Sequence, residues 1–140
     1  AKIRALAELA NNCRLTVCVD TAENIAALET AAKAAGSTVH CFVEYEIGME
    51  RCGVVEQEAV LALARQIEGS EHLVFDGLQA YAGHLSHMED PQKRREMTAA
   101  NYEKLRSLLD YLKKNGITVK TVSGGSTGTA AIKAMEGLYT

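Results

Sequence analysis

Near the end of the 140-residue chain lies a segment rich in glycine and hydroxyl side chains, Ser123-Gly124-Gly125-Ser126-Thr127-Gly128-Thr129. Glycines let successive backbone amides converge on one point, and the hydroxyl groups of Ser126 and Thr127 add donors where a helix is predicted to begin. The segment lacks the ending of a Walker loop and is not a GxGxxG fingerprint with an acidic residue about twenty positions on. Its composition favours phosphate binding, and a flexible glycine turn is the alternative.

Three further side chains could bind or react at the same place. Arg51 lies in a loop flanked by glycines, and its planar guanidinium suits anions or ring nitrogens, with a solvated arginine as the alternative. Tyr81 ends a strand of buried character, where a core tyrosine whose hydroxyl has a partner is the alternative. Cys52 follows Arg51, and a neighbouring cation could activate its thiol, although packing beneath the loop is the favoured interpretation.

Two histidines, His84 and His87, share the loop that follows Tyr81. Imidazole is the side chain whose ordinary pKa best suits proton transfer near neutral pH, so His87 is a candidate for catalysis or substrate contact. The alternative is a pair of surface histidines. Metal binding is disfavoured because no third ligand stands nearby.

These residues follow four predicted strands. Each strand is a short β-branched or apolar run, and the runs cover 14–19, 38–45, 73–81 and 117–122. Asp20, with Glu23 three residues on, predicts a capping box for the first intervening helix, and Gly36 predicts its left-handed end. Asp90 and Pro91 predict the start of the third helix, and a last helix is predicted to begin near Thr127.

Strict alternation of strand and helix predicts parallel strands whose carboxyl ends meet at one edge, where ligands bind. Four such units make either a small open α/β sheet or half of an eight-stranded barrel, which takes about 250 residues. The chain opens on a helix already under way and stops without a closing element, so a part of a longer protein is expected. The favoured fold is four consecutive βα units of a parallel (β/α)8 TIM barrel.

Composition narrows the possible partners. The chain is 47% hydrophobic and 24% charged, which excludes a disordered chain. A net charge of -3 offers no basic face for nucleic acid, and no apolar run has the length of a membrane span. The four cysteines form neither a CxxC pair nor a zinc pattern, so a reducing cytoplasm is expected. Small or anionic ligands remain.

Taken together, four segments resemble the fold type III pyridoxal-phosphate enzymes, the alanine-racemase-like barrels. The resemblance is strongest to the branch of D-threonine aldolase, 3-hydroxy-D-aspartate aldolase and D-serine dehydratase. Its carriers are residues 16–20, residues 43–54, residues 77–81 with His87, and residues 123–129. The resemblance implies that residues 1–140 are part of the N-terminal cofactor-binding barrel domain.

The resemblance also implies roles for individual residues. The cofactor phosphate would lie against the glycine and hydroxyl segment, and Arg51 and Tyr81 would contact the cofactor. An arginine near the pyridine ring would keep its nitrogen unprotonated and weaken the ring as an electron sink. His87 would act as acid or base at the substrate hydroxyl, or position it. The resemblance implies that Gly125, Ser126, Thr127 and Gly128 hold the phosphate group and that Gly124 also belongs to the cofactor-binding residues.

The activity implied is that of a lyase on β-hydroxy-D-amino acids. Retro-aldol cleavage to glycine or a related amino acid and an aldehyde or keto acid is favoured, and dehydration of D-serine or 3-hydroxyaspartate is the alternative. In this family the Schiff-base lysine ends the first barrel strand, in a segment that these residues do not contain. A C-terminal β-domain, also absent here, brings ligands for Mn²⁺ or Zn²⁺. A homodimer is expected for the full-length enzyme, and these 140 residues alone are expected to be inactive.

Some residues depart from the family pattern, and other interpretations stay open. Ser126 stands where a third glycine is more common, and Ala82 and Ser86 replace larger polar residues, so the substrate is not carried over. A class I aldolase could instead use Lys120 as its Schiff-base lysine. A catalytically silent pyridoxal-phosphate carrier and a free-standing α/β binding module are further alternatives, although exposed sheet edges argue against the last.

Overall fold

The four predicted strands form one parallel sheet in a computed structural model that describes residues 1–132 and 137–140. Three α-helices connect the strands, and one more precedes them. In chain order the elements are α1 (Lys2–Leu9), β1 (Thr16–Val19), α2 (Ala22–Ala35), β2 (Val39–Glu44), α3 (Gln57–Glu68), β3 (Leu73–Tyr81), a 3₁₀ helix (Gly83–His87), α4 (Pro91–Lys114), β4 (Thr121–Gly125) and a 3₁₀ turn (Thr127–Thr129).

The strand order decides between the two parallel architectures. Neighbours in the sheet follow the chain, β1-β2-β3-β4, and each pair is parallel. A doubly wound open sheet reverses its order at a switch point, whereas a barrel adds each new strand on the same side. The sheet therefore has the arrangement of consecutive βα units of a barrel, as predicted.

The two faces of the sheet differ in character. Along β2, the apolar Val39, Cys41 and Val43 are fully buried, and they belong to the main hydrophobic core with residues of α2, α3 and α4. The alternating residues His40 and Glu44 are only partly buried and lie on the opposite face. That second face is the interior of a barrel, and it carries the polar residues.

Helix ends follow the sequence signals with one correction. Gly36 ends α2 in the left-handed conformation, with φ of 62°, and Asp90 caps α4 by accepting from the amides of Gln92 and Lys93. The prediction that Asp20 caps α2 is wrong. Thr21 is the cap and accepts from an amide three residues on, because the Asp20 carboxylate instead accepts from the amide of Gly53 at 3.1 Å.

The fourth strand lies later in the chain than predicted. It was expected over 117–122 but covers Thr121–Gly125, so Gly124 and Gly125 are strand residues. The reason is close packing against β3. A Cβ on Gly124 would lie 2.1 Å from the carbonyl oxygen of Ala80, a distance that only glycine avoids.

The predicted last helix begins as a 3₁₀ turn at Thr127 and continues as α-helix over 130–132. The rest of that prediction, at 133–136, lies outside the described residues. No helix in the described part of the chain combines the length and apolar character that a membrane span requires.

Candidate active site

The loops after β2, β3 and β4 meet at one edge of the sheet, as parallel pairing requires. Tyr81, the last residue of β3, lies in register with Gly125, the last residue of β4. The amide of Ala82 then donates to the carbonyl of Gly125 at 3.1 Å, and the amide of Tyr45 donates to that of Gln79 at 2.8 Å. Strand register thus brings three separate sequence segments to one place.

Arg51 and Tyr81 contact each other across this edge. The guanidinium carbon lies 5.2 Å from the centre of the Tyr81 ring, within the range of a cation–π interaction. The Tyr81 ring in turn lies over Gly83, where a Cβ would come within 2.5 Å of the ring and its hydroxyl. The two residues predicted to contact one ligand are therefore side by side.

A carboxylate at the end of β2, Glu44, forms an ion pair with Arg51. Glu44 Oε1 accepts from Arg51 Nη2 at 3.2 Å, and the Glu44 side chain is 13% exposed against 52% for Arg51. The same oxygen accepts from the Cys52 thiol at 3.0 Å. This hydrogen bond raises the pKa of Cys52 more than the neighbouring Arg51 lowers it. The activated thiolate considered from the sequence is therefore wrong, and Cys52 is a neutral hydrogen-bond donor.

Two other carboxylates stabilise the loop between β2 and α3 by accepting hydrogen bonds from its backbone amides. Glu46 Oε1 accepts from the amides of Gly48 at 2.7 Å and Glu50 at 2.8 Å. Partial burial acts to raise the pKa of Glu46, but these amide hydrogen bonds outweigh it and the pKa lies below its usual value. Asp20 binds the far end of the loop through the Gly53 amide. The loop that presents Arg51 is thus built on acidic side chains at or near strand ends.

The glycine and hydroxyl segment is ordered by its own side chains. The buried Thr129 hydroxyl accepts from the amide of Ser126 at 2.9 Å and donates to the carbonyl of Ser126 at 3.1 Å. The amide of Gly128 donates to Ser86 Oγ at 3.2 Å. Thr127 is exposed, and within the described residues neither its amide nor its hydroxyl has a partner. The free donors therefore centre on Thr127, a smaller set than a nest of consecutive amides would give.

The two histidines occupy different environments in the Gly83–His87 helix. His87 is exposed, with no hydrogen-bond partner among the residues described. The His84 ring lies against the backbone of Gly48, where a Cβ would be 3.0 Å from Nε2, and its buried Nδ1 has no partner in that same part of the chain. His84 therefore packs the two loops together, and His87 is the histidine open to a ligand.

Lys120 lies at the wrong end of its strand for the class I aldolase alternative. It is exposed and immediately precedes β4, whereas Ser126 immediately follows that strand. The two positions lie six residues apart on extended chain, about 20 Å along the strand. A ligand held at the glycine segment would not reach this lysine.

Sequence reasoning missed the polar residues that support the site. Glu44 is a half-buried carboxylate at a strand end, a position that could have been singled out. Ser86 was noted only as a departure from relatives. Tyr139 lies against Gly124 and hydrogen-bonds the backbone of Gly125, and no sequence signal pointed to it. Among the described residues, no group of three or more potential metal ligands lies together.

The fold and the site define a class: a parallel barrel segment whose strand ends present one arginine–tyrosine pair beside a glycine and hydroxyl segment. The family model described as alanine racemase, N-terminal domain, matches residues 2–138, and the chain belongs to this family. The resemblance to the alanine-racemase-like pyridoxal-phosphate enzymes of the D-threonine aldolase branch is thereby confirmed.

Individual relatives agree with this assignment. The chain is 36% identical to a D-threonine aldolase of Arthrobacter over all of its length and 37% identical to a 3-hydroxy-D-aspartate aldolase of Paracoccus denitrificans over 99% of it. The crystal structure of D-threonine aldolase from Filomicrobium marinum superposes with a TM-score of 0.95 at 36% identity, covering 99% of the chain. The chain spans 37%, 36% and 37% of these three proteins, respectively.

Proposed function

We propose that the whole protein to which these residues belong is a pyridoxal-phosphate-dependent lyase that cleaves β-hydroxy-D-amino acids by a retro-aldol reaction. The observation that carries the proposal is the register of Tyr81 with Gly125, because it joins the Arg51–Tyr81 pair to the glycine and hydroxyl segment. Similarity to two aldolases of this substrate class, each over at least 99% of the chain, supports it.

The chemistry of the donor set fits the cofactor. Neutral donors suit a phosphate group: the amide and hydroxyl of Thr127 have no partner among the described residues, and the Ser86 hydroxyl lies next to them on Gly128. The Ser126 hydroxyl is already bonded to Thr129 Oγ1 at 3.3 Å. The guanidinium of Arg51 is a planar cation that suits a ring nitrogen or a phenolic oxygen. The Cβ positions of Gly124 and Gly128 face Ala80 and Ser86, so these two glycines allow close packing within the chain and set where the segment lies. When bound, pyridoxal phosphate supplies an electron sink for the electron pair of the bond that breaks.

Each residue of the chain would then have a defined task. Arg51 and Tyr81 would orient the cofactor, with Arg51 keeping a fixed positive charge near its ring. His87 would take the proton from the substrate β-hydroxyl as the bond between Cα and Cβ breaks. The products would be glycine, or a related amino acid, and an aldehyde or keto acid. The Schiff-base lysine and the ligands of an assisting Mn²⁺ or Zn²⁺ would come from outside these 140 residues, and the active protein would be a homodimer.

The test uses the whole protein incubated with pyridoxal phosphate. We expect a visible absorbance band, and borohydride reduction should leave a cofactor adduct on a lysine outside this chain. D-Threonine, D-serine and 3-hydroxy-D-aspartate are then supplied with Mn²⁺ or Zn²⁺, and aldehyde, keto acid and ammonia are measured. Glycine with an aldehyde or keto acid supports the proposal. Ammonia with a keto acid would mean a dehydratase, and an adduct on Lys120 would replace the proposal by a class I aldolase.

A matched pair of variants tests the role of His87. His87→Gln removes the titrating group that is open to a ligand, whereas His84→Gln alters the histidine that packs against Gly48. Loss of a general base lowers the rate by about 10²–10⁴-fold. We expect a loss of that order in kcat for His87→Gln with cofactor binding retained. A His87→Gln variant with the kcat of the wild type would exclude the assigned role.

A further inference from the structure

Within residues 1–132 and 137–140, Glu44 is the one acidic side chain that connects the sheet to the arginine of the proposed site. Its Oε1 accepts from both Arg51 and Cys52, at 3.2 and 3.0 Å, and its side chain is only 13% exposed. Among the described residues, Arg51 pairs with no other carboxylate. One oxygen atom therefore binds two consecutive residues of the loop.

The two partners differ in how firmly the fold holds them. Glu44 lies in register with Gln79 of β3, so its position is fixed by strand pairing. Arg51 lies on a loop and is half exposed, and a free arginine side chain has many rotamers. Holding the guanidinium over Tyr81 therefore requires an anchor, and Glu44 is the only charged group that supplies one among the residues described.

The side chain of Cys52 also contacts Arg51, and it would hold the guanidinium more strongly if it carried a charge. A thiolate next to a guanidinium forms an ion pair with it, which would draw the cation towards the thiol. Because the thiol donates to Glu44, the hydrogen bond favours its neutral form, and the pKa of Cys52 is raised accordingly. The same carboxylate thus binds Arg51 and keeps its neighbour uncharged.

We propose that Glu44 is the positioning residue of the site: it fixes the Arg51 guanidinium over Tyr81 for the cofactor and keeps Cys52 as a neutral thiol that does not compete for it. The part that concerns the cofactor rests on the proposed function. The part that concerns Cys52 does not, because it needs only the residues of this chain.

The first experiment measures Cys52 without cofactor. The whole protein is treated with iodoacetamide near neutral pH, and alkylation of the Cys52 peptide is followed by mass spectrometry, with exposed Cys13 as an internal reference. Since thiolate is the reacting form, Glu44→Gln should raise the rate at Cys52 by about threefold or more. Glu56→Gln, which removes the same charge from an exposed position before α3, should leave it unchanged.

The second experiment measures pyridoxal-phosphate affinity by titration of the absorbance band. Glu44→Gln should weaken it about tenfold, the scale of a lost charged hydrogen bond. In the Arg51→Ala background the same change should have little further effect, because Glu44 acts through Arg51. Effects that multiply independently in the double variant would mean a general structural role and would overturn the proposal.

The outcomes separate the two proposals. If the wild type takes up no pyridoxal phosphate, the proposed function fails, and the Cys52 rate alone decides whether Glu44 keeps that thiol neutral. An unchanged Cys52 rate in folded Glu44→Gln refutes the inference. If Glu44→Gln does not fold, Arg51→Ala is used instead. Removing the cation should then slow alkylation of Cys52, and an unchanged rate would overturn the coupling of the three residues.

Discussion

Replacing Gly124 by alanine should push β4 away from β3 and weaken the proposed cofactor site. Its φ of +157° is unfavourable for a side chain, a strain of about 1–2 kcal/mol. The new Cβ would also lie 2.1 Å from the Ala80 oxygen and 2.8 Å from the Tyr139 ring, so the strands must separate by about 1 Å. Overpacking of this kind costs about 1–3 kcal/mol, which brings the expected loss to about 2–5 kcal/mol.

Gly116→Ala is the matched control for this substitution. Gly116 also has a positive φ, +83°, but no other atom lies within 4 Å of the place where its Cβ would be, so only the conformational strain applies. We expect thermal unfolding of the whole protein to give a lower Tm for Gly124→Ala than for Gly116→Ala. Pyridoxal-phosphate affinity should fall only in the former, because β4 carries the glycine and hydroxyl segment. Equal Tm values together with wild-type affinity would refute the reasoning.

Three further predictions follow from named contacts. Thr21→Ala should destabilise the protein by about 1 kcal/mol in urea unfolding, because α2 loses its cap, and a neutral effect would contradict that role. Burial acts to raise the pKa of Asp76, but the hydrogen bond from Arg14 and the nearby His40 outweigh it and lower the pKa. The stabilisation by ionised Asp76 is therefore present above about pH 4 and is lost as pH falls through the lowered pKa. In Asp76→Asn the free energy of unfolding should depend less on pH in this acidic range. Identical pH dependence in the wild type and the variant would contradict this role. Tyr81→Phe keeps the aromatic ring that contacts Arg51, whereas Tyr81→Ser removes the ring and keeps a hydroxyl. Affinity for pyridoxal phosphate should therefore be about two- to fivefold higher in Tyr81→Phe than in Tyr81→Ser. The opposite order would mean that the hydroxyl contributes more than the ring.

Most of the fold could be predicted because its signals are local. The apolar run of β3 begins and ends where predicted, at Leu73 and Tyr81, and the cap at Asp90 lies where its sequence indicates. Predictions were wrong where the structure of a segment depends on contacts with a distant part of the chain. Asp20 is a good cap by type, but the distant Gly53 amide takes its carboxylate. The bounds of β4 depend on which of its residues pack against β3. Glycines indicate a turn in a sequence, but Gly124 instead allows close packing of the two strands.

The candidate site was predictable in outline for a topological reason. Parallel strands bring their following loops to one edge, so Arg51, Tyr81 and the segment at 124–128 could be grouped without knowing any distance. The supporting contacts could not be predicted in this way. Whether Cys52 is a thiolate depends on which neighbour acts more strongly on its sulfur, the cation beside it in sequence or the carboxylate of Glu44 seven residues before Arg51.

The proposed phosphate site lies beside several carboxylates, and these affect how an anion would be attracted to it. Glu44 offsets part of the positive charge of Arg51, and the carboxylates of Asp20 and Glu46 add negative charge while they accept from backbone amides. Little net positive charge is then left at the strand ends to attract a phosphate over long distances. Attraction must come mainly from short-range hydrogen bonds, which the amide and hydroxyl of Thr127 would provide and which require close approach and correct geometry. We therefore expect the glycines that set the position of β4 to matter to the proposed site as much as Arg51 does.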